Sequence, residues 1–284
     1  MHSRELVQEF YRDACALELR AFKPGNVSIY AAGHGMQVAD FLISATVSSA
    51  HLVNLELTLG ERIYYAVQAT RSAVGCNTNL GILLLCAPLI EAALRCDVLQ
   101  NYQAVLTEVL QNTSVKDADW VFKAITAAAP GGLGSAEQGD VIQPATMTLL
   151  QAMQLAAERD RIALQYVSNF KDVFDFGVIR YNTQLNRWGM EDWAAVAVYT
   201  GLLSQFPDSH VERKYGGQHS AWIAAQMLVL DQVLLDSKTP ESLVSKFSDL
   251  DTEFKCKGIN PGTTADLTVA TVLTVKIMSW LATR

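Results

Sequence analysis

Charged side chains are scarce in this chain. Only 18% of its 284 residues are Asp, Glu, Lys or Arg, and the acids outnumber the bases, leaving a net charge of −7. Without a clustered basic face, nucleic acid is excluded as a bulk electrostatic partner. Cysteine is sparse and unpatterned: Cys15, Cys76, Cys86, Cys96 and Cys256 are odd in number and show no CxxC spacing. That excludes a disulfide framework and reads as free thiols in a reducing, cytoplasmic setting. Long hydrophobic runs are also missing. The two most apolar stretches, residues 82–89 and 267–281, are interrupted by Pro88, with Glu91 close behind, and by Lys276. Both fall short of the roughly 20 residues of a membrane span. The first thirty residues lack the pattern of a secretory signal, and no repeat of 20–50 residues is visible.

What is present is apolar and helical in period. Half of the residues are hydrophobic, enough to bury a substantial core. Apolar positions recur at three-to-four spacing: Leu6, Phe10 and Leu17; Phe41, Leu42, Ala45 and Val53; Leu149, Met153, Leu155 and Ala156; Trp193, Val196, Val198 and Leu202. Alternating runs are few; YAVQAT and DVIQPAT are the nearest, and both can be helical. Helix starts are expected where Glu191-Asp192 precedes Trp193 and where Thr239-Pro240 precedes Leu243. The pattern predicts an all-α fold, one multi-helix domain over residues 1–284 with about ten to twelve helices. Residues 129–140, APGGLGSAEQGD, read as its longest loop.

Four polar clusters interrupt the apolar pattern, each beside a helix and rich in glycine or proline. The first is KPGNVSIY, residues 23–30, with His34 just beyond. Lys23 there is either a cation at a helix C-terminus or a contact for phosphate or carboxylate, with Asn26, Ser28 and His34 as neighbouring hydrogen-bonding groups. The second is VGCNTNLG, residues 74–81. Asn77 or Thr78 can cap the helix that follows, which accounts for one amide and leaves the other unexplained. Free N–H groups at a helix start also bind anions, and Gly75 and Gly81 let a ligand approach. The third, FPDSHVERKYGG, is the densest polar segment of a charge-poor chain: a solvated loop, or a Mg²⁺-phosphate contact built from Asp208, His210, Arg213 and Lys214. The fourth is GINPGTTADL, residues 258–267, where Thr263 or Thr264 can cap and Asp266 enters the first turn of an almost wholly apolar helix. An acid at the mouth of a buried helix suits a dipole partner, a metal ligand or a general base.

In this order the clusters resemble the motifs of the triphosphoribosyl-dephospho-CoA synthase family, from about residue 16 to residue 281. The matching pieces are Lys23-Pro24-Gly25 followed by His34, Asn77-Thr78 between glycines, the Asp208-to-Lys214 loop, and Pro261-Gly262-Thr263-Thr264-Ala265-Asp266-Leu267. The resemblance implies an all-α cytoplasmic transferase in which a hydroxyl of 3′-dephospho-CoA attacks the anomeric carbon of ATP's ribose. Adenine leaves and the triphosphate stays on the product. Where the family carries His-Lys-Gly after asparagine-threonine, this chain has Asn79-Leu80-Gly81. The family's arginine-rich loop is replaced by Gly131-Gly132-Leu133-Gly134.

Such chemistry needs Mg²⁺ and cations for the phosphates, and a base for the attacking hydroxyl. Asp208 and Asp266 are the metal candidates; Lys23, Arg213 and Lys214 are the phosphate clamps. Glu18, His34 and Asp266 are the catalytic candidates, and Asn77 could support the departing adenine. Asn26, Ser28, Thr78, Asn79, His210 and Thr264 complete the substrate-binding set. The expected partner is a phosphorylated small molecule, with ATP as substrate and no nucleic acid or membrane; assembly with identical copies is left open. Two other readings keep the fold: a biosynthetic transferase for a one-carbon cofactor of methanopterin or methanofuran type, and a non-catalytic binding or assembly protein.

Overall fold

Several helix starts in this chain carry their own caps. Thr58 accepts from the Glu61 amide while the Glu61 carboxylate accepts from the Thr58 amide, and the same reciprocal box recurs at Ser114/Asp117 and Thr148/Gln151. Gly75 and Gly189 end two helices in the left-handed region, at φ 74° and 69°. The computed structural model describes residues 3–33, 35–130 and 138–284. Fourteen α-helices follow among them. They are α1 Ser3–Arg20, α2 Val38–Leu52, α3 Leu59–Val74, α4 Leu80–Arg95, α5 Tyr102–Gln111, α6 Val115–Ala128 and α7 Leu149–Ala156. The remainder are α8 Arg161–Val167, α9 Ile179–Trp188, α10 Glu191–Gln205, α11 Ser209–Tyr215, α12 Ser220–Asp236, α13 Val244–Cys256 and α14 Gly262–Leu281, with a π-helical turn at Asp172–Val178 leading into α9. No strand occurs among the described residues, only two isolated bridges near residue 30.

The all-α expectation therefore holds, and the helix count exceeds ten to twelve. The extra ones are short: α7, α8 and α11 have eight, seven and seven residues, about two turns each, too few for a period to register. The start predicted at Thr239-Pro240 is a 3₁₀ turn, Pro240–Leu243, that runs into α13. YAVQAT lies within α3, whereas DVIQPAT is irregular. Leu42 and Leu155 do not face the core; they are exposed.

The buried apolar residues form one continuous cluster. Its centre is α4, α10 and α14, with α1 packed beside them. An apolar helix buried on most sides needs its polar groups satisfied internally, and α14 shows how. Its Thr268, Thr271 and Thr274 hydroxyls donate to the carbonyls one turn back, of Thr264, Leu267 and Ala270, at 2.8–2.9 Å. At 20 residues α14 is long and apolar enough to cross a membrane by length and composition. However, 67% of its most apolar 18-residue stretch is buried in the fold, as expected of a core helix.

Candidate active site

The α1–α2 connection begins with a sharp turn. Gly25 adopts φ 83°, and a Cβ there would lie 2.8 Å from Phe254 and 2.9 Å from the Ile259 carbonyl. Distant residues hold the turn. The Gly25 amide donates to Asp251 Oδ1 at 2.8 Å, Tyr199 donates to the Pro24 carbonyl at 2.8 Å, and Asn26 Nδ2 donates to Asn260 Oδ1 at 2.8 Å. This brings the first predicted cluster against the fourth. Beneath it Lys23 is fully buried, donating to Asn26 Oδ1 at 3.1 Å and the Val27 carbonyl at 2.7 Å and ion-paired to Glu18. Burial pushes the Glu18 carboxyl up and the Lys23 ammonium down, each opposed by its partner's charge.

All four clusters reach one cavity of about 790 Å³. The first contributes Asn26, the second Asn77, Thr78 and Asn79, the third His210 and Arg213, and the fourth Asn260, Thr263 and Asp266. Glu18 joins them from α1. Apolar walls come from Met36, Phe41, Leu80, Ile82, Met153 and Ile162. Glu18 is only 4% exposed and Asp266 is half-buried. Arg71, Arg159 and Arg213 line the same cavity; Arg159 is exposed and Arg213 is ion-paired to Asp160.

Asp266 is the chemically distinct group. No hydrogen bond or ion pair to its carboxylate is found among the described residues. Burial in the cavity wall, reinforced by the charges of Asp208 and Glu18 and opposed by Arg213, pushes it well above the usual carboxylate range. Its position depends on Gly81 in the first turn of α4. A Cβ at residue 81 would fall 1.9 Å from Asp266 Oδ2, so any other residue there would displace the carboxylate.

Several predicted residues have other tasks. Asp208, expected as a metal ligand, lies 3% exposed outside the cavity lining with both oxygens occupied. Oδ1 accepts from the His210 and Val211 amides at 2.9 and 3.1 Å, and Oδ2 from the Thr264 amide and hydroxyl at 2.8 Å each. One carboxylate thus caps the N-termini of both α11 and α14. Asp208→Ala should cost on the order of 2–4 kcal/mol as two caps are lost, read as a lower midpoint in urea unfolding. A loss below 1 kcal/mol would contradict the double cap. Of the two carboxylates expected to hold Mg²⁺, Asp208 has both oxygens taken by caps while Asp266 has no such partner, and no group of three metal-binding side chains occurs among the described residues.

Lys23 is not a phosphate contact either, since it sits behind Glu18. Thr264 is spent on Asp208, Ser28 is buried outside the lining, and Lys214 reaches the Gly258 carbonyl at 3.4 Å. His34 and the 131–134 glycine segment lie outside the described residues. Arg71, Arg159 and Asp160 were not anticipated. Arg71 is a single arginine within a helical run and carries no signal, and Arg159 lies in the charged turn before α8, where Asp160 is legible as the cap, accepting from the Ile162 and Ala163 amides.

The family signal spans nearly the full chain: the model of the CitG family, ATP:dephospho-CoA triphosphoribosyl transferase, matches residues 4–284. This chain belongs to that family. The CitG-family transferase is also similar in structure to a protein assigned as a triphosphoribosyl-dephospho-CoA synthase from Archaeoglobus fulgidus. The TM-score is 0.66 at 23% identity, over 84% of this chain and 99% of that one. At that identity the likeness supports the helical fold. No protein of curated function matches the chain. The family match bears out the transferase reading of the four clusters, and neither alternative reading finds support in it.

Proposed function

We propose that the cavity binds ATP with its triphosphate on the lining arginines and its ribose anomeric carbon by Glu18 and Asp266, where a dephospho-CoA hydroxyl displaces adenine. The lining supports this reading: the carboxylates Glu18 and Asp266 and the guanidinium groups of Arg71, Arg159 and Arg213 share one cavity. Guanidinium groups suit phosphate oxygens, and a developing positive charge on the sugar suits carboxylates.

In the reaction a bond forms between the acceptor oxygen and C1′, and the C1′–N9 bond breaks. Adenine leaves with the bonding pair and takes up a proton, in balance with the one lost by the attacking hydroxyl. Asp266, raised in basicity and free of partners, takes the hydroxyl proton. Glu18, anchored by Lys23, faces the positive charge that builds on the ribose. The apolar walls exclude water, which would otherwise compete as acceptor. Mg²⁺ would accompany the triphosphate as its counter-ion.

The test is adenine release followed by chromatography. Adenine should appear only when ATP and dephospho-CoA are both supplied. Arg71→Ala and Arg159→Ala should each raise the KM for ATP about 10- to 100-fold, the loss of a charge-assisted hydrogen bond, with kcat nearly unchanged. Conversion of ATP to ADP without adenine would sink the proposal.

A further inference from the structure

The two amides of the NTN segment do different work. Asn77 Oδ1 accepts from the Leu80 amide at 3.1 Å and so satisfies the start of α4. Thr78 between them donates to Ser44 Oγ at 2.6 Å. Asn79 occupies the N-cap position itself, yet its side chain makes no capping bond. Its Nδ2 is buried without a partner, and the residue as a whole is 5% exposed on the cavity wall. The other amides of the site are engaged: Asn26 bonds Lys23 and Asn260, and Asn260 accepts from Asn26. An unpaired buried amide is costly, and nothing in the fold repays it. A ligand would. With neither end of the amide tied down, rotation about Cβ–Cγ can present donor or acceptor to the cavity at little cost.

The neighbours define the ligand's shape. Phe41 and Ile82 line the wall together with Asn79, offering an aromatic and an aliphatic face for a flat ring. A carboxamide presents one donor and one acceptor side by side. Adenine returns the complementary pair, the N6–H donor and the N7 acceptor, whereas guanine offers two acceptors along the same edge.

We propose that Asn79 is the specificity-determining residue for the leaving base: its amide pairs with N6–H and N7 of adenine while Phe41 and Ile82 hold the ring. This rests on the ATP reading above. Donation to N7 also draws electron density from the base as the C1′–N9 bond breaks, so the same contact selects adenine and eases its departure.

The test compares ATP with 7-deaza-ATP, which lacks the N7 acceptor, and with GTP. It measures dissociation constants by calorimetry and kcat/KM by base release, for wild type, Asn79→Ala and Asn79→Leu. Wild type should bind ATP at least about 10-fold more tightly than either analogue, the discrimination a good bidentate base contact provides. In both variants the ratio of dissociation constants for ATP and 7-deaza-ATP should fall to near one, while the loss seen with 7-deaza-ATP itself is small. The kcat/KM ratio should fall by a similar factor relative to wild type, and comparing it between proteins removes the intrinsic difference between the two leaving groups. If wild type uses ATP but does not distinguish it from 7-deaza-ATP, the assignment is overturned, whatever the variants do. Discrimination in the dissociation constants that survives undiminished in a folded variant overturns it as well. If ATP neither binds nor releases adenine, the ATP reading itself fails and the assignment with it.

Discussion

Asp266→Asn should abolish triphosphoribosyl transfer and at the same time make the protein more stable. The activity side follows from the role proposed for the carboxylate. An amide cannot accept the proton of the attacking hydroxyl, and a positioned base contributes about 10²–10⁴-fold to rate. The fall should appear in kcat, with the dissociation constant for ATP little changed. The stability side follows from the direction of the pKa. In the unfolded chain the group titrates near its ordinary value of 3.8, and in the fold it is pushed well above that, by burial first and by Asp208 and Glu18 next. The folded state therefore binds more protons than the unfolded one throughout the interval between the two values, and stability declines as pH rises through it. Asparagine carries no charge to desolvate. The variant should melt above wild type at pH 7, and the difference should close as pH is lowered toward 4. Equal melting temperatures at every pH would show that Asp266 carries no buried charge, and full activity in the variant would remove it from the mechanism.

Lys23→Met should be the most destabilising single change at the site. For both partners burial outweighs pairing, since Glu18 is raised and Lys23 lowered, so the ion pair is no source of net stability. Removing one partner is a different matter. Glu18 would remain in the wall of the cavity with its nearest counter-charge gone, and breaking a buried pair in this way costs about 3–5 kcal/mol. At about 2–4 °C per kcal/mol for a chain of this size, the melting temperature should drop by roughly 10 °C. The sign of the pH dependence is again set by a raised acid. Protonated Glu18 needs no partner, so the deficit should shrink as pH falls and widen as it rises. The double variant Glu18→Gln with Lys23→Met should recover much of the loss, because neither charge is then stranded. A single variant as stable as wild type at pH 8 would show that the ammonium is not what supports Glu18.

Both predictions turn on residues the sequence marks as functional without saying how. The four clusters were legible because their signals are local. A Pro-Gly turn, an amide before an apolar run and an acid two residues after a pair of threonines are written within one turn of helix. So was the all-α class, since helical period needs only neighbours three and four positions apart. Burial was not legible. Lys23 beside Pro24-Gly25 looks the same on paper whether it meets phosphate or Glu18, and the fold buries it completely. Asp208 in a polar loop looks like a ligand, and the fold gives its second oxygen to Thr264, 56 residues away. Of the cavity arginines only Arg213 stood in a marked cluster; Arg71 in α3 and Arg159 in the turn before α8 carried no sign that they would converge on it.

The question posed by two amides in one helix start has an answer of the same kind. Sequence determined that one of them would cap α4, because capping needs only an oxygen within reach of the next few backbone amides. Which one is spent, and what the other is for, was decided by tertiary structure. Asn77 meets the Leu80 amide, and Asn79 is enclosed by α1 and α2 residues that supply its side chain with no partner. The same division runs through the whole site. The chain alone determined where its helices begin and that its polar groups cluster at their ends. Packing determined which of those groups lose water, which receive a partner from as far as 226 residues away, as Gly25 does from Asp251, and which, like Asp266 and Asn79, are desolvated and left unpaired. The physical reason is range: caps and helical period act over a few residues, whereas desolvation and electrostatics depend on every element folded around the group.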